Sequence, residues 1–442
     1  MFKRRANTLN KICIFLFIVI VVISGCVKKD KKVVLRFANW ITPGASGRYI
    51  YDLIAEFEKT HPGVEIKSEF ASGQPYWRKL YTSHTSGNAP DIFCMVPSQL
   101  VRLSSKGMML PLDEFLAKEE FGLNDYQPNI RKVIQFREKV WMLPLGFHSF
   151  VLYYNKTMFD KEKIKYPDKN WGWSDFLDAA KKLTKDTNGD GRIDQYGFSS
   201  YLNINYLSLW IYGNGGRIVD ESGKKVMLDH KEAIEALQFI SDLINKYKVV
   251  PREAVTTGEM QSNVVQDYFA NGKAGMFILG AWCIPRFREE IKSFDWDIAP
   301  FPKGKANRRC NLINAGISIS SQTKHSKLAW EFVKQIAGPV GVRLSAKAGQ
   351  DIPALNDKEA KHNFLTAGEK PKNIKLFFEA LEYSEPTPLK MGFESNWDKY
   401  LKPGMESLML GNESAEKMMK RIGPELQKGL DEFWKDLEVE SR

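Results

Sequence analysis

Residues 186–194, Asp-Thr-Asn-Gly-Asp-Gly-Arg-Ile-Asp, carry oxygen side chains at an interval suited to a metal ion. Asp186, Asn188, Asp190 and Asp194 stand at loop positions 1, 3, 5 and 9, with Gly191 at position 6 and Ile193 at position 8. This matches the first nine positions of an EF-hand-type loop, in which carboxylates and an amide wrap one hard cation, calcium. Arg192, at position 7, completes the candidate set. Position 12 is Gly197, so the bidentate acid is missing; a distant carboxylate has to replace it, or the site is weak. The competing reading is an Asx-rich turn with no metal. A calcium ion here would be structural, pinning a loop. Cys94, Cys283 and Cys310 show no short spacing, which argues against both a disulfide framework and zinc. Cys94 and Cys283 lie in apolar runs and read as small core residues; one disulfide among the three stays open.

Cys26 has a different chemistry. Lys3, Arg4, Arg5 and Lys11 form a basic leader, followed by an apolar run at 12–23. That run is too short for a bilayer core, which needs about 20 residues, and suits the apolar region of a signal peptide. Ile23-Ser24-Gly25-Cys26 resembles the bacterial lipobox, which implies cleavage before Cys26 and acylation of the new N-terminus. Two or more acyl chains hold a protein stably on a membrane. The alternative is a plain secretory signal with a chance cysteine. Residues 1–25 are thus the signal peptide and 26–32 a lipidated, lysine-rich tether.

The rest of the chain is long enough for two lobes with real cores, at 43% apolar residues. The net charge of +11 includes the four leader positives. It reads as solubility beside an anionic cell surface, and no basic block with interleaved aromatics points to nucleic acid. Val33 to Phe37 is β-rich. Ile50, Leu53, Ile54 and Phe57 repeat on one helical face, and Val64-Glu65-Ile66 follows as a strand. The apolar run 91–96 fits a strand buried on both faces. The pattern is an open α/β sheet. Later, Ser174 reads as a helix cap, and Asp229 with Glu232 as a capping box. Strands are expected at 274–279, 297–299 and 316–320, and the last hundred residues read as mainly helical.

Several segments, in order, resemble the extracellular solute-binding proteins of bacterial ABC importers, in the carbohydrate-binding branch that includes the maltodextrin binders. They are Gly87-Asn88-Ala89-Pro90-Asp91-Ile92; Leu143-Pro144-Leu145 with Leu152-Tyr153-Tyr154-Asn155-Lys156; 269–276 with Gly280-Ala281-Trp282; and Asn314-Ala315-Gly316-Ile317 before the helix at 327–336. The resemblance covers 33–442 and implies a two-lobe α/β periplasmic-binding-protein fold with a ligand cleft between the lobes. Hinge crossings are expected near Phe136, Ala299 and Ile352. Lobe one is then 33–135 plus 300–351, and lobe two is 136–299 plus the mainly helical 352–442. Closure over ligand would be a hinge motion, and the membrane permease would recognise the closed form.

A sugar site needs aromatic platforms and planar polar groups. Carried over from the resemblance, the candidates are Trp40, at the end of the first strand where ligands sit in open α/β sheets, then Met95 and Ser98 after the Pro-Asp strand. Met95 and Ser98 depart from the aromatic and charged groups of the maltodextrin binder, which makes a maltodextrin ligand doubtful. His148 falls where that relative has an acidic contact; Asn203, Asn205 and Tyr206 occupy its polar and stacking segment. Trp282 is the stacking platform, Asn314 lies at the matching cleft strand, Asp351 at the last crossing, and Trp397 approximates a C-terminal stacking residue. Gln74 lines the rim. Structural readings compete at each: Trp40 packed under a turn, His148 as a satisfied core histidine.

The leading function is a lipid-anchored, monomeric carbohydrate-binding subunit on the extracytoplasmic face, without catalysis. The alternatives are a secreted carbohydrate-active enzyme and a ligand-sensing lipoprotein of the same fold. Glycoside hydrolysis needs an acid pair about 5–10 Å apart, which a sequence does not display, and no nucleophile or metal-hydrolase motif is present. A polyamine, peptide or glycerol phosphate ligand is disfavoured by the aromatic-rich candidate set and the lack of an arginine cluster.

Overall fold

The computed structural model of the chain describes residues 32–41, 44, 47–201, 203–252, 264–386 and 397–439. Cys26 and the apolar run at 12–23 lie outside the described residues. No helix among the described residues is long and apolar enough to cross a membrane.

Strand β1 (Val33–Asn39) pairs in parallel with β2 (Val64–Phe70) along its whole length, Val33 opposite Val64. On its other side it pairs in parallel with β3 (Ile92–Met95). Parallel neighbours need crossover connections, supplied by α1 (Arg48–Thr60) and α2 (Gly73–Thr85). Helix α1 turns Tyr49, Ile50, Leu53, Ile54 and Phe57 to the core, the stripe its periodicity predicts. All four residues of β3 are buried, as a strand covered on both faces must be. Helix α3 (Pro97–Ser105) follows at once.

Strand β4 (Leu143–Ser149) does not pair with β1–β3; it lies antiparallel to the long β9 (Cys310–Ile319), which also pairs with β3. With β10 (Ser384–Pro386) parallel to the start of β9, the first lobe's sheet runs β10-β9-β3-β1-β2, with β4 also held by β9. The second sheet runs β8-β5-β7-β6, made of β5 (Val151–Asn155), β6 (Tyr196–Ser199), β7 (Ala274–Leu279) and β8 (Trp296–Ala299). Strands β4 and β5 are one extended run with Phe150 alone between them. The chain therefore changes sheet at Phe150, not near Phe136, and 136–149 belongs with the first lobe. The physical reason is the partner: β4 takes its hydrogen bonds from β9, which returns to the first sheet from Cys310 onwards.

The return lies between Ala299 and Cys310. The last expected change, near Ile352, is also displaced. Ile352 bridges Phe147 of β4, helix α10 (Lys358–Leu365) packs on α9 (Pro339–Ala348), and β10 is still in the first sheet. The chain crosses only after Pro386, to α11 (Lys402–Met409) and α12 (Ala415–Val439), which pack on α6 (Lys231–Asn245) of the second lobe.

Local expectations fared differently at the caps. Helix α4 (Trp173–Leu183) starts one residue before Ser174; its cap is Gly172, whose N–H donates to Asp175 at 2.9 Å. Helix α6 begins after His230 without a side-chain cap, so Asp229 does not fill that role. Helix α8 (Ser326–Ala337) ends at Gly338, where α9 starts with a proline in its first turn. Cys94, Cys283 and Cys310 are all buried free thiols.

Candidate functional site

The two lobes meet beside Phe150, where His148, Asp351, Trp282 and Tyr206 come together. Backbone bonds between Phe147 and Ile352, at 3.1 and 3.3 Å, hold the segment after α9 against β4. This sets Asp351 beside His148, with Oδ1 3.0 Å from Nε2. The approach needs Gly146: a Cβ there would lie 2.3 Å from the Cβ of Asp351. The other carboxylate oxygen, Oδ2, accepts the hydroxyl of Tyr49 from α1 at 3.0 Å and that of Ser345 from α9. Burial pushes the Asp351 carboxyl up, but His148, Ser345 and Tyr49 together outweigh it and hold it below the ordinary carboxylate value. Burial, reinforced by the Asp351 charge, lifts the Tyr49 phenol well above its usual value. The Nδ1 atom of His148 is sealed from solvent and has no hydrogen-bond partner.

The second lobe contributes Trp282, two residues beyond Gly280, the glycine that follows β7. Its ring meets that of His148 edge to face, with centroids 4.7 Å apart at 77°, and that of Phe150 at 5.9 Å. A Cβ on Gly280 would lie 1.9 Å from the indole Cζ3, so the ring needs a glycine there. The carbonyl of Gly280 accepts the Tyr153 hydroxyl at 2.8 Å, tying the turn to β5. Phe150 in turn packs on Tyr206 of α5 (Ile204–Gly213) at 4.9 Å.

Trp40 is half-buried just past the C-terminal end of β1, against Tyr76 at 4.9 Å and Trp77 at 5.9 Å. Gln74 is exposed in the first turn of α2, and Ser98 is half-buried in the first turn of α3. Asn203 and Asn205 are half-buried; Asn203 caps α5 by accepting the Asn205 N–H at 3.0 Å. Asn314 lies in β9 opposite Phe147, and Trp397 opens a helical turn at 397–401; the side chains of both lie outside the described part.

Three expected contacts come out differently. Met95 is wholly buried and its sulfur accepts the Ser318 hydroxyl at 2.7 Å, so it packs the first lobe's core. Asp351 has both oxygens occupied by protein donors. Tyr206 is only 1% exposed, beneath Phe150, as a supporting ring. The partners that matter to Asp351, Tyr49 and Ser345, escaped the sequence reading. Tyr49 is 302 residues away and looks like any core position of α1. Gly280 could have been found, since a glycine two residues before a tryptophan is what a ring folded back on its own backbone requires.

The loop at 186–194 is exposed and closed on itself. Asp186 accepts the N–H groups of Gly189 and Gly191, each at 2.7 Å. Asn188 and Asp190 each accept the N–H two residues on, at 2.9 and 2.8 Å. Asp194 accepts the Thr187 N–H and hydroxyl, both at 2.8 Å, which hold its carboxyl below the ordinary value. The Asn188 and Asp190 bonds are Asx-turns, and those of Asp186 and Asp194 close the loop over longer spans. Arg192 is exposed beside them. Among the described residues, no group of three or more His, Cys, Asp or Glu side chains is arranged to hold a metal ion.

Residues 42–342 match a family model described as bacterial extracellular solute-binding protein. The maltotriose-binding protein of Pyrococcus abyssi is 24% identical over 72% of this chain and 66% of its own length. The arabinooligosaccharide-binding protein of Bacillus subtilis is 22% identical over 72% of this chain and 74% of its own length. An ABC substrate-binding protein of Listeria monocytogenes, solved in complex with cycloalternan, superposes with a TM-score of 0.80 at 24% identity, covering 90% of this chain and 98% of that one.

Proposed function

This chain belongs to the bacterial extracellular solute-binding proteins, whose members bind solutes and are not enzymes, and we propose that it captures a carbohydrate, specifically an oligosaccharide. The observation that carries this reading is the meeting of Trp282 and His148 from opposite lobes, 4.7 Å apart. One supplies an aromatic face for the C–H surface of a sugar and the other a planar ring that bonds a hydroxyl. Trp40, Gln74 and Ser98 on one lobe, Asn203, Asn205 and Trp397 on the other, and Asn314 in β9 complete the candidate set. The sugars named for the relatives, maltotriose and arabinooligosaccharides, support the ligand class. Closure about Phe150 and the 300–309 connection would trap the ligand and present the closed lobes to an ABC permease. A lipid on Cys26 would keep the monomer at the extracytoplasmic face.

Thermal melting of the purified protein against mono- and oligosaccharides, including maltotriose, arabinotriose and galactobiose, tests the ligand class. A sugar at 100 times its Kd stabilises by about 2.7 kcal/mol. A rise confined to related glycans is expected; a flat panel, with peptides or polyamines active instead, overturns the carbohydrate reading. Mass spectrometry of the membrane-extracted protein tests the anchor, with acylation lost in Cys26→Ala. A structural calcium ion on Asp186, Asn188, Asp190, Arg192 and Asp194 is a separable part of the proposal, supported by their spacing. Calcium should raise the melting temperature of chelator-treated protein and not that of Asp190→Ala; no rise leaves the loop an Asx turn.

A further inference from the structure

The carboxylate of Asp351 faces three donors and no acceptor. Its Oδ2 receives two hydroxyls, from Tyr49 and Ser345, and its Oδ1 lies 3.0 Å from Nε2 of His148. An ionised carboxylate has no proton to give, so the proton in the third contact sits on Nε2. A second proton on the ring would bury a charged N–H at Nδ1, where no acceptor is available; a bare nitrogen there is the cheaper state. His148 is only 7% exposed. The side chain packed on it, Trp282, comes from the other lobe, so opening the lobes would uncover it.

We infer that Asp351 is a positioning residue rather than a ligand contact, and that it locks His148 in the Nε2–H tautomer so that the bare Nδ1 accepts a hydrogen bond from a hydroxyl of the bound sugar. The inference rests on the carbohydrate reading of the cleft for the identity of the donor; the lock itself does not. The role makes the contact selective for ligands that offer a hydroxyl hydrogen at that point, since an ether or fluorine there leaves two acceptors facing each other.

The substitution Asp351→Asn separates positioning from packing. Tyr49 and Ser345 both donate to the Oδ2 position, so the amide oxygen belongs there and the NH₂ group faces Nε2. That NH₂ donates, which strips Nε2 of its proton and moves the proton to Nδ1. The shape is kept while the hydrogen-bond sense toward the ligand is reversed.

The test is nitrogen NMR of ¹⁵N-histidine-labelled protein at neutral pH. The chain has six histidines, and His148 is assigned by the signals lost in His148→Gln. Protonated Nε2 with bare Nδ1 is expected in the wild type, and the opposite tautomer in Asp351→Asn. A wild-type ring protonated at Nδ1, singly or doubly, overturns the inference, as does an unchanged tautomer in a folded Asp351→Asn protein. Should Asp351→Asn fail to fold, the wild-type spectrum and that of Ser345→Ala, in which Oδ1 keeps its partner and the tautomer is expected unchanged, still decide the lock.

Adding maltotriose, arabinotriose or galactobiose then reads the donor. A sugar that raises the melting temperature should also shift the Nδ1 resonance, and Asp351→Asn should weaken its binding about tenfold or more. A sugar that binds without moving Nδ1 defeats the inference and leaves the carbohydrate function standing. A panel in which no sugar binds defeats the function, and the ligand-free spectra report on the lock regardless.

Discussion

Removing the Asp351 carboxylate outright should destabilise the first lobe far more than an average substitution. In Asp351→Ala, the hydroxyls of Tyr49 and Ser345 and the Nε2–H of His148 lose their common acceptor. A hydrogen bond to a charged group contributes about 1.5–3 kcal/mol. The sum of three overstates the effect, because burying the carboxylate is itself costly and the hydroxyls can rotate toward other acceptors. Leaving a buried donor without an acceptor costs about 1–3 kcal/mol, and the hollow cannot close, since Gly146 and the Phe147–Ile352 backbone pair already lie against it. With three donors left facing the hollow, we expect about 3–5 kcal/mol in urea unfolding at pH 7. The pH dependence has a fixed sign. The folded Asp351 pKa lies below its unfolded value, so its contribution is whole above about pH 4–5 and is lost as pH falls through the folded value. The gap between wild type and Asp351→Ala should therefore begin to narrow below about pH 4 and go on narrowing as pH falls. A cost under about 1 kcal/mol at pH 7, or a gap that does not narrow in acid, would refute the account of Asp351 as the ionised hub of this network.

Gly146→Ala puts a Cβ 2.3 Å from that of Asp351 and 3.0 Å from the Ile352 carbonyl; it should cost roughly 1–3 kcal/mol in urea unfolding and weaken sugar binding in the same direction as Asp351→Asn. Gly280→Ala collides with the Trp282 ring at 1.9 Å; a shifted tryptophan emission and a loss of sugar affinity of about tenfold or more are expected by fluorescence titration, and unaltered binding would remove Trp282 from the site. Asp295 is held between Lys156 at 2.6 Å and Lys370 at 2.8 Å; burial opposes them, yet the two lysines draw its carboxyl down to about 2. Its contribution is present above the unfolded value and lost as pH falls toward 2. Because the carboxylate is 42% exposed, Lys370→Ala should cost under about 1 kcal/mol and raise the Asp295 pKa in a carboxyl-carbon NMR titration.

Features decided within a turn or a strand were legible in the sequence. The stripe Ile50, Leu53, Ile54 and Phe57 is a statement about residues three and four apart, and α1 buries those side chains. A strand is expected at 274–279, and β7 has those bounds. Motif order across the chain pointed to two α/β lobes, and Trp282 and His148 could be singled out from sequence because each stands at a fixed offset from a recognisable motif.

Sheet membership and polar partnership were not legible, for one physical reason: both depend on which distant segment completes a hydrogen-bond inventory. Strand β4 is buried on both faces, so its composition is the same whichever sheet it joins, and β9, about 160 residues later, assigns it to the first lobe. That shifts the crossing from Phe136 to Phe150. Asp351 reads in sequence as a free carboxylate at a crossing, a reasonable sugar contact. Only the folded chain, bringing Tyr49 from one end and Ser345 from the preceding helix onto the same oxygen, turns it from a group that would bond ligand into one that orients His148. The sequence determined which side chains have the chemistry for a sugar cleft; the tertiary structure decided which of them still have that chemistry to offer, because a buried polar group is defined by the partners that have already satisfied it.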